Sequence, residues 1–319
     1  MTPRGAERAA DAPVGVAVVM PAYNAERFVA DAVRSVLAQT LADLELLIVD
    51  DGSTDRTADV ARALADGRVR VLTVANGGPS RARNVALAAA RPSRYVAFVD
   101  ADDLWDRGKL AAQVALLDAR PELVAAGCFM RYVSSSGAVL GETGQVLDEG
   151  ALAGVVRGEL YPFPTSSIVV RREVLDALGG FDETLRGSED LDFIARAAQR
   201  GPLACVPEVL GSYRVHPASA MARDRVGINR DARFVRARLA ARAAGRELTR
   251  AEFEAAHAPG WRERREDAIN VLYRSAALWY GERRWARALG YGVLALLAGP
   301  GYTLRRLYRQ RLGGGGVSG

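Results

Sequence analysis

The stretch Tyr95 to Leu104, YVAFVDADDL, decides how the rest of the chain is read. Tyr95 to Val99 are aromatic or β-branched apart from Ala97, which is the composition of a buried parallel strand. Three acids, Asp100, Asp102 and Asp103, follow at once. Like charges at the end of a buried strand are unfavourable unless a cation or hydrogen-bond donors neutralise them. Hard divalent cations take carboxylate oxygens and share phosphate ligands. One reading is therefore a metal–phosphate site at the carboxyl end of a parallel sheet, where open α/β sheets place ligands. The other is an acidic helix start, with Asp102 or Asp103 capping the helix that follows. By itself the stretch favours neither.

Upstream, GVAVVM (Gly15 to Met20) reads as a buried strand stopped by Pro21, and Glu26 to Gln39 has apolar residues at helical spacing. LELLIV (Leu44 to Val49) is a second strand, followed by a turn at Asp50 to Asp55 and a helix with a Ser or Thr cap running to about Ala65. Val69 to Val74 is a third strand, and Ser80 to Ala90 an Ala-rich helix capped by its serine. Four strands separated by three helices predict a doubly wound, Rossmann-like α/β sheet. Its strand ends carry Tyr23 and Asn24, then Asp50 and Asp51, then the three acids. Convergence of these loops on one face favours the ligand site over the helix cap.

Downstream, the pattern predicts a helix over 104–119, a strand over 123–133, a hairpin around Ser136-Gly137 and a helix over 148–157. A strand over 166–170 and a short helix over 172–178 follow, the latter closed by Gly179-Gly180. Ser188-Glu189-Asp190 opens a helix to about Arg200, and 203–206 and 209–215 are short strands. Beyond Ala218 strand signals vanish, and 223–246 and 263–298 read as helices rich in Ala and Arg. The expected division is a leader over 1–13, an α/β domain over 14–225, an Arg-rich helical region over 226–312 and a disordered tail over 313–319.

The 319 residues carry a formal net charge of +5, unevenly placed. From Arg223 onward there are 20 arginines against 9 acids, a net of +11, which leaves −6 for the rest. Lys109 is the only lysine. An arginine-rich end suggests an anionic partner. Ala288 to Leu304 holds no charged residue, and Arg305, Arg306, Arg309 and Arg311 follow. That arrangement suits an interfacial helix on an anionic membrane face, and equally a packed helix with a solvated basic end. Two cysteines give neither a disulfide framework nor a metal knuckle, and no apolar leader is seen, so a cytoplasmic protein is expected, peripheral on the inner membrane face where the interfacial reading of 288–311 holds.

Seven motifs occur in order: VVMPAYN (18–24), VDDGSTD (49–55), NGGPSRARN (76–84), FVDADD (98–103), GGFDE (179–183), SEDLDF (188–193) and YRVHPAS (213–219). Together they resemble the family 2 glycosyltransferases, inverting enzymes with a mixed GT-A sheet that use nucleotide-diphosphate sugars. The resemblance covers roughly 14 to 220 and implies roles residue by residue. Asp51 would read the base by accepting a ring N–H, with Pro21 and Tyr23 lining the base pocket. Asn76 and Arg83 would close over the nucleotide, although Arg83 also reads as a surface helix arginine. Asp100, Asp102 and Asp103 would match the DxD element, with Asp100, Ala101 and Asp102 against the donor and Asp100 on the ribose or a metal-bound water. Asp102, Asp103 and His216 would be the candidates for holding Mn²⁺ or Mg²⁺ at the diphosphate, and which two of the three acids touch the ion stays open. Asp190, with Glu189 as its neighbouring alternative, would be the base that deprotonates the acceptor hydroxyl.

The expected reaction is metal-dependent transfer from a nucleotide sugar, a UDP-sugar foremost, to a glycan or lipid-linked acceptor. No nucleic-acid partner is expected. A catalytically inactive nucleotide-sugar-binding or scaffolding protein is the alternative. The glycine-rich loops that a nucleotidyltransferase or a dinucleotide dehydrogenase needs after the first strand are absent from PAYNAERF.

Overall fold

Alternate residues of the first strand, β1 (Val14–Ala22), enter two different cores. Val16, Val18 and Met20 join one apolar layer, and Ala17 and Val19 the other. A strand buried on both faces must be apolar throughout, which is why the sequence shows an unbroken run rather than an alternation. This computed structural model describes residues 12–64, 66–257 and 260–305.

Strands β2 (Leu44–Asp50), β3 (Val69–Thr73) and β4 (Ser93–Phe98) extend the sheet in parallel, in the order β3-β2-β1-β4. Helices α1 (Val29–Leu37) and α2 (Thr57–Ala63) cover one face, and α3 (Pro79–Ala89) the other. The chain leaves β1 toward β2 on one side and later returns to β4 on the other. The crevice beyond the carboxyl end of β1 is thus a topological switch point, where such sheets bind ligands.

Past β4 the sheet becomes mixed. Its further strands are β5 (Leu104–Trp105), β6 (Ala125–Val133), β7 (Val139–Thr143), β8 (Val169–Arg171) and β9 (Leu203–Arg214). The order continues β4-β8-β6-β9-β5, with β7 hairpinned onto β6. β8 runs antiparallel to both neighbours, whereas β6 and β9 are parallel. Helix α4 (Lys109–Ala119) joins the face of α1, while α5 (Glu149–Val156), α6 (Arg172–Leu178) and α7 (Glu189–Ala198) join the face of α3.

Several local expectations change. Pro21 does not stop β1, which pairs with β2 through Ala22↔Asp50. The Val19 carbonyl accepts the Val99 N–H at 3.1 Å, so Pro21, two residues on, turns its missing N–H to that same side, where pairing with β4 has ended. The helix expected from Leu104 begins at Lys109; Leu104 and Trp105 pair with β9 instead, and Trp105 Nε1 donates to the Ser166 carbonyl at 2.7 Å. Asp102 and Asp103 therefore cap no helix. Ser80 is not an N-cap either, because Pro79 with its fixed φ opens α3 after Gly78. Arg56, rather than a Ser or Thr, stands at the α2 cap position. The two short strands after residue 203 are one strand with a register shift, and Ser166 lies in a 3₁₀ turn (Thr165–Ser167) ahead of β8. Gly179, at φ 71°, ends α6 as expected.

The arginine-rich region is helical: α8 (Ala220–Arg223), α9 (Arg225–Ala243), α10 (Arg250–Ala256), α11 (Trp261–Gly281) and α12 (Trp285–Ala298). The expected helix over 263–298 is broken at Glu282 to Arg284, with Arg283 at φ 55°. α11 and α12 fold back as an antiparallel hairpin, and both Arg265 Nε and Nη2 reach the Ala298 carbonyl, at 3.1 and 2.8 Å. α9 builds a separate core in which Phe234, Val235 and Leu239 meet Leu185, Leu191 and Ala195. The expected leader and tail, and Arg306, Arg309 and Arg311, lie essentially outside the described residues.

Candidate active site

The turn after β2 is built around Asp51. Its Oδ1 accepts the Gly77 N–H at 2.8 Å, and its Oδ2 accepts Gly78 N–H at 2.8 Å and Asn76 Nδ2 at 3.2 Å. Asn76 Nδ2 also reaches the Asp51 carbonyl at 2.8 Å, so Asn76 shapes this turn. Gly52 is needed here: it sits at φ +72°, and a Cβ on it would lie 2.9 Å from the Asn76 nitrogen. Across the crevice, Asn24 Oδ1 accepts the Thr54 N–H at 2.8 Å, tying the β1 loop to the β2 loop. Pro21 is half-buried beside them, and Tyr23 is exposed to solvent at the mouth.

Arg83, on the inner face of α3, is 3% exposed. Its Nη2 donates to Asp100 Oδ1 at 2.8 Å and its Nη1 to Glu189 Oε1 at 2.7 Å. The guanidinium also lies over the Phe181 ring, 5.2 Å from its centroid. Burial works against this charge, but Asp100 and Glu189 outweigh it and hold the guanidinium firmly protonated. Where the resemblance has Arg83 closing on the nucleotide, the structure has it bridging two acidic segments.

The three acids after β4 have separate surroundings. Asp100 places its backbone N–H on Ser166 Oγ at 3.0 Å, and burial raises its carboxyl against the pull of Arg83, with Asp102 adding to the rise. Ala101 is buried in the turn. Asp102 Oδ2 stands 2.9 Å from His216 Nε2. Asp103 points away: its Oδ1 accepts the Arg214 N–H of β9 at 2.7 Å, and its Oδ2 is buried without a hydrogen-bond partner. Burial, then the charges of Asp102 and Asp100, push the Asp103 carboxyl well above the usual range. The pair brought together is thus Asp102 with His216, and Asp103 fastens the loop to β9. Arg214 completes the fastening through Nε on the Asp102 carbonyl at 2.8 Å, while its Nη1 reaches the Ser134 and Ser135 carbonyls.

Asp190 opens α7 on the far side. Its Oδ2 accepts Tyr161 Oη–H at 2.6 Å and lies 3.3 Å from Thr165 Oγ1, and its Oδ1 accepts the Leu191 N–H at 2.7 Å. The helix N-terminus favours its negative charge. Burial, then the Asp190 charge, push the Tyr161 phenol well up, so it stays a donor. Glu189 faces inward to Arg83 and burial raises its carboxyl, so the two adjacent acids divide their roles. α9 supports this start: Asp231 Oδ2 accepts the Arg186 and Gly187 N–H groups at 3.0 Å.

The sequence reading missed Tyr161, Thr165, Ser166 and Arg214. The run YPFPTSS (161–167) held a signal, because Pro162 and Pro164 fix an extended backbone that presents its polar side chains. Among the described residues, no three His, Cys, Asp or Glu side chains form a ready-made metal cage.

Residues 17–179, just over half of the chain, match the family model described as glycosyl transferase family 2. An uncharacterized glycosyltransferase of Nostoc sp. is 33% identical over 213 residues, which cover 64% of this chain and 66% of that protein. The UDP-Glc:alpha-D-GlcNAc-diphosphoundecaprenol beta-1,3-glucosyltransferase of Escherichia coli is 41% identical over 103 residues, 32% of this chain and 40% of that one. The chain thus spans less than two thirds of the length of these relatives. Among solved structures, a mannosyltransferase of Pyrobaculum calidifontis in complex with GDP-Man and Mn²⁺ shares the fold at a TM-score of 0.54. That likeness has 21% identity and covers 95% of this chain and 81% of the other.

Proposed function

The chain belongs to the family 2 glycosyltransferases, and on that premise we propose metal-dependent, inverting transfer of a sugar from a nucleotide-diphosphate donor to a hydroxyl of a glycan or lipid-linked acceptor. The observation that carries the reading is the Arg83 bridge, which sets the end of β4 beside the start of α7. Donor-side acids and a candidate base are thereby held at one crevice. A transferase needs both there, and a scaffold needs neither.

Asp51 keeps acceptor capacity on Oδ1, which receives a single N–H, and so can take a ring N–H of uracil or guanine. The E. coli relative is named for UDP-Glc and the Pyrobaculum neighbour holds GDP-Man; a UDP-sugar is the donor we favour here. Pro21 and Tyr23 would flank the base. Asp102 offers an oxygen and His216 an imidazole, a pair that suits Mn²⁺ when substrate phosphates complete the shell, whereas Mg²⁺ would use the carboxylate and phosphate oxygens alone. The mutually repelling acids, half-buried Asp100 and buried Asp103, fit a site that gains from a nearby cation. When bound, such an ion supplies Lewis-acid stabilisation of the leaving diphosphate.

Asp190 would accept the proton of the acceptor hydroxyl as that oxygen attacks the anomeric carbon from the face opposite the diphosphate. Tyr161 and Thr165 hold Oδ2, fixing the carboxylate plane. We assign the transferase unit to 14–225 and a supporting role to 226–312, in the cytoplasm at the inner membrane face.

A panel of UDP- and GDP-sugars, assayed with Mn²⁺ and with chelator, tests the reading. At least one donor is expected to turn over with metal, and Asp190→Asn to lose more than about 10²-fold in kcat with nucleotide binding retained. Normal turnover by Asp190→Asn would remove the base assignment. Nucleotide binding with no turnover of any donor would favour the inactive alternative.

A further inference from the structure

Helix α12 presents the wrong side chains to water. Its buried and half-buried positions are Ala288, Tyr291, Gly292, Ala295 and Ala298, and a Cβ on Gly292 would lie 3.9 Å from Ala276 Cβ of α11. Its outer face carries Trp285, Leu289, Val293 and Leu297, one every four residues, with Leu296 inside the same stripe. Leu289 is 71% and Leu297 76% exposed. A surface helix of a water-soluble protein turns its large apolar residues inward and its small or polar ones outward. Here small residues pack the helix against α11, and the large ones form a continuous exposed stripe of the kind that marks an interaction site.

Charge identifies the occupant. From Arg283 to the last residue the sequence holds seven arginines and no acid. Arg283 and Arg284 sit at the turn, Arg287 flanks the stripe, and Arg305 lies beyond the far end, all exposed. Exposed Tyr280 and Trp285 meet edge-on at 4.9 Å at the turn, the position that amphipathic rings take at a bilayer interface. The 14 residues of α12 span about 21 Å, and no helix of the described residues is long and apolar enough to cross a membrane. An apolar stripe bordered by arginine, without an acid, on a helix too short to span, fits a helix lying in the plane of an anionic lipid surface.

We propose that the outer face of α12 is a docking surface for an anionic lipid bilayer, with Trp285, Leu289, Val293 and Leu297 entering the headgroup–acyl boundary. The arginines around it pair with lipid phosphates. This surface is independent of the donor chemistry, so its test and the transferase assay fail separately. The hairpin is tied to the active site by a short path. Glu282 accepts the Ser135 N–H at 2.8 Å, and the Ser135 carbonyl accepts Arg214 Nη1 at 3.2 Å, the same arginine that holds Asp102 and Asp103.

The test is co-flotation of the full chain with vesicles of phosphatidylcholine alone or with about one third phosphatidylglycerol. Flotation with the anionic vesicles, weakened by salt, is expected, and about a hundredfold loss in the doubly substituted Leu289→Glu/Leu297→Glu chain. Both sites are open to solvent, so an unchanged thermal midpoint is expected. Arg284→Gln/Arg287→Gln, which leaves the stripe intact, should lower anionic binding about fivefold per arginine. Failure of the native chain to float, or equal flotation of the Leu289→Glu/Leu297→Glu chain, would overturn the proposal. So would light scattering showing a native dimer that this substitution turns to monomer without any vesicle binding, since the stripe would then serve a second copy.

Discussion

Arg83 is the residue on which the acidic crevice depends. It has no solvent to retreat to, and its terminal nitrogens hold the half-buried carboxylate of Asp100 and the buried one of Glu189. Removing one member of such a group leaves uncompensated buried charge, whose cost exceeds the net worth of the intact pair. Arg83→Ala is expected to lower unfolding free energy by about 3–5 kcal/mol, read from urea midpoints. A loss below about 1 kcal/mol would mean that Asp100 and Glu189 relax to solvent. Lys109 is the opposite case, a buried cation with no ion-pair partner among the described residues. Its Nζ donates to Gln113 Oε1 at 2.8 Å and lies 4.0 Å from the centroid of the Trp105 ring. Burial lowers its pKa from the ordinary 10.5 to about 8. Between those values the unfolded chain binds more protons than the native one, so stability from this group rises with pH through that window. Lys109→Met should therefore be more stable than the native chain at pH 7, by up to about 3 kcal/mol, with the advantage shrinking between about pH 8 and 10.5. Denaturant midpoints of both proteins across that range check the sign.

At the scale of elements, the parallel half was legible because its signals are local. Unbroken apolar runs such as LELLIV are what two-sided burial requires, and glycine and proline mark their ends. Leu104 and Trp105 misled because their apolar character fits a helix start, and only the distant β9 makes them a strand. The same holds for the site. Asp51, Asp102, Asp190 and His216 stood out as residue types in motifs, whereas Tyr161 and Arg214 act through partners 29 and at least 79 residues away. The break at Glu282 has its reason in that residue's bonds to the Ser135 turn. Glu282→Ala is expected to speed amide exchange across α11 and α12 and leave β1, β2 and β4 unchanged, by mass-resolved hydrogen exchange. Uniform acceleration over the whole chain would show instead that the hairpin is integral to global stability.

For the molecule as a whole, the expected break near residue 225 falls where α9 begins, yet packing crosses it. Arg238 donates to Asp182 and Asp192 at 2.6 and 2.7 Å, and Asp231 caps the loop ahead of Asp190. A chain ended after Arg225 should lose the cooperative unfolding transition of the native protein, because Leu185 in the loop and Leu191 and Ala195 of α7 are uncovered. Retention of a sharp, unshifted transition would show that α9 only rests on the domain. The buried Lys109 has one more consequence at this scale. Because it is the only lysine of residues 1–319, their folded surface offers no side-chain amine to amine-directed reagents. An acylating dye therefore labels the Lys109 side chain only when α4 opens. The label on the peptide that carries Lys109, read by mass, becomes a direct meter of unfolding.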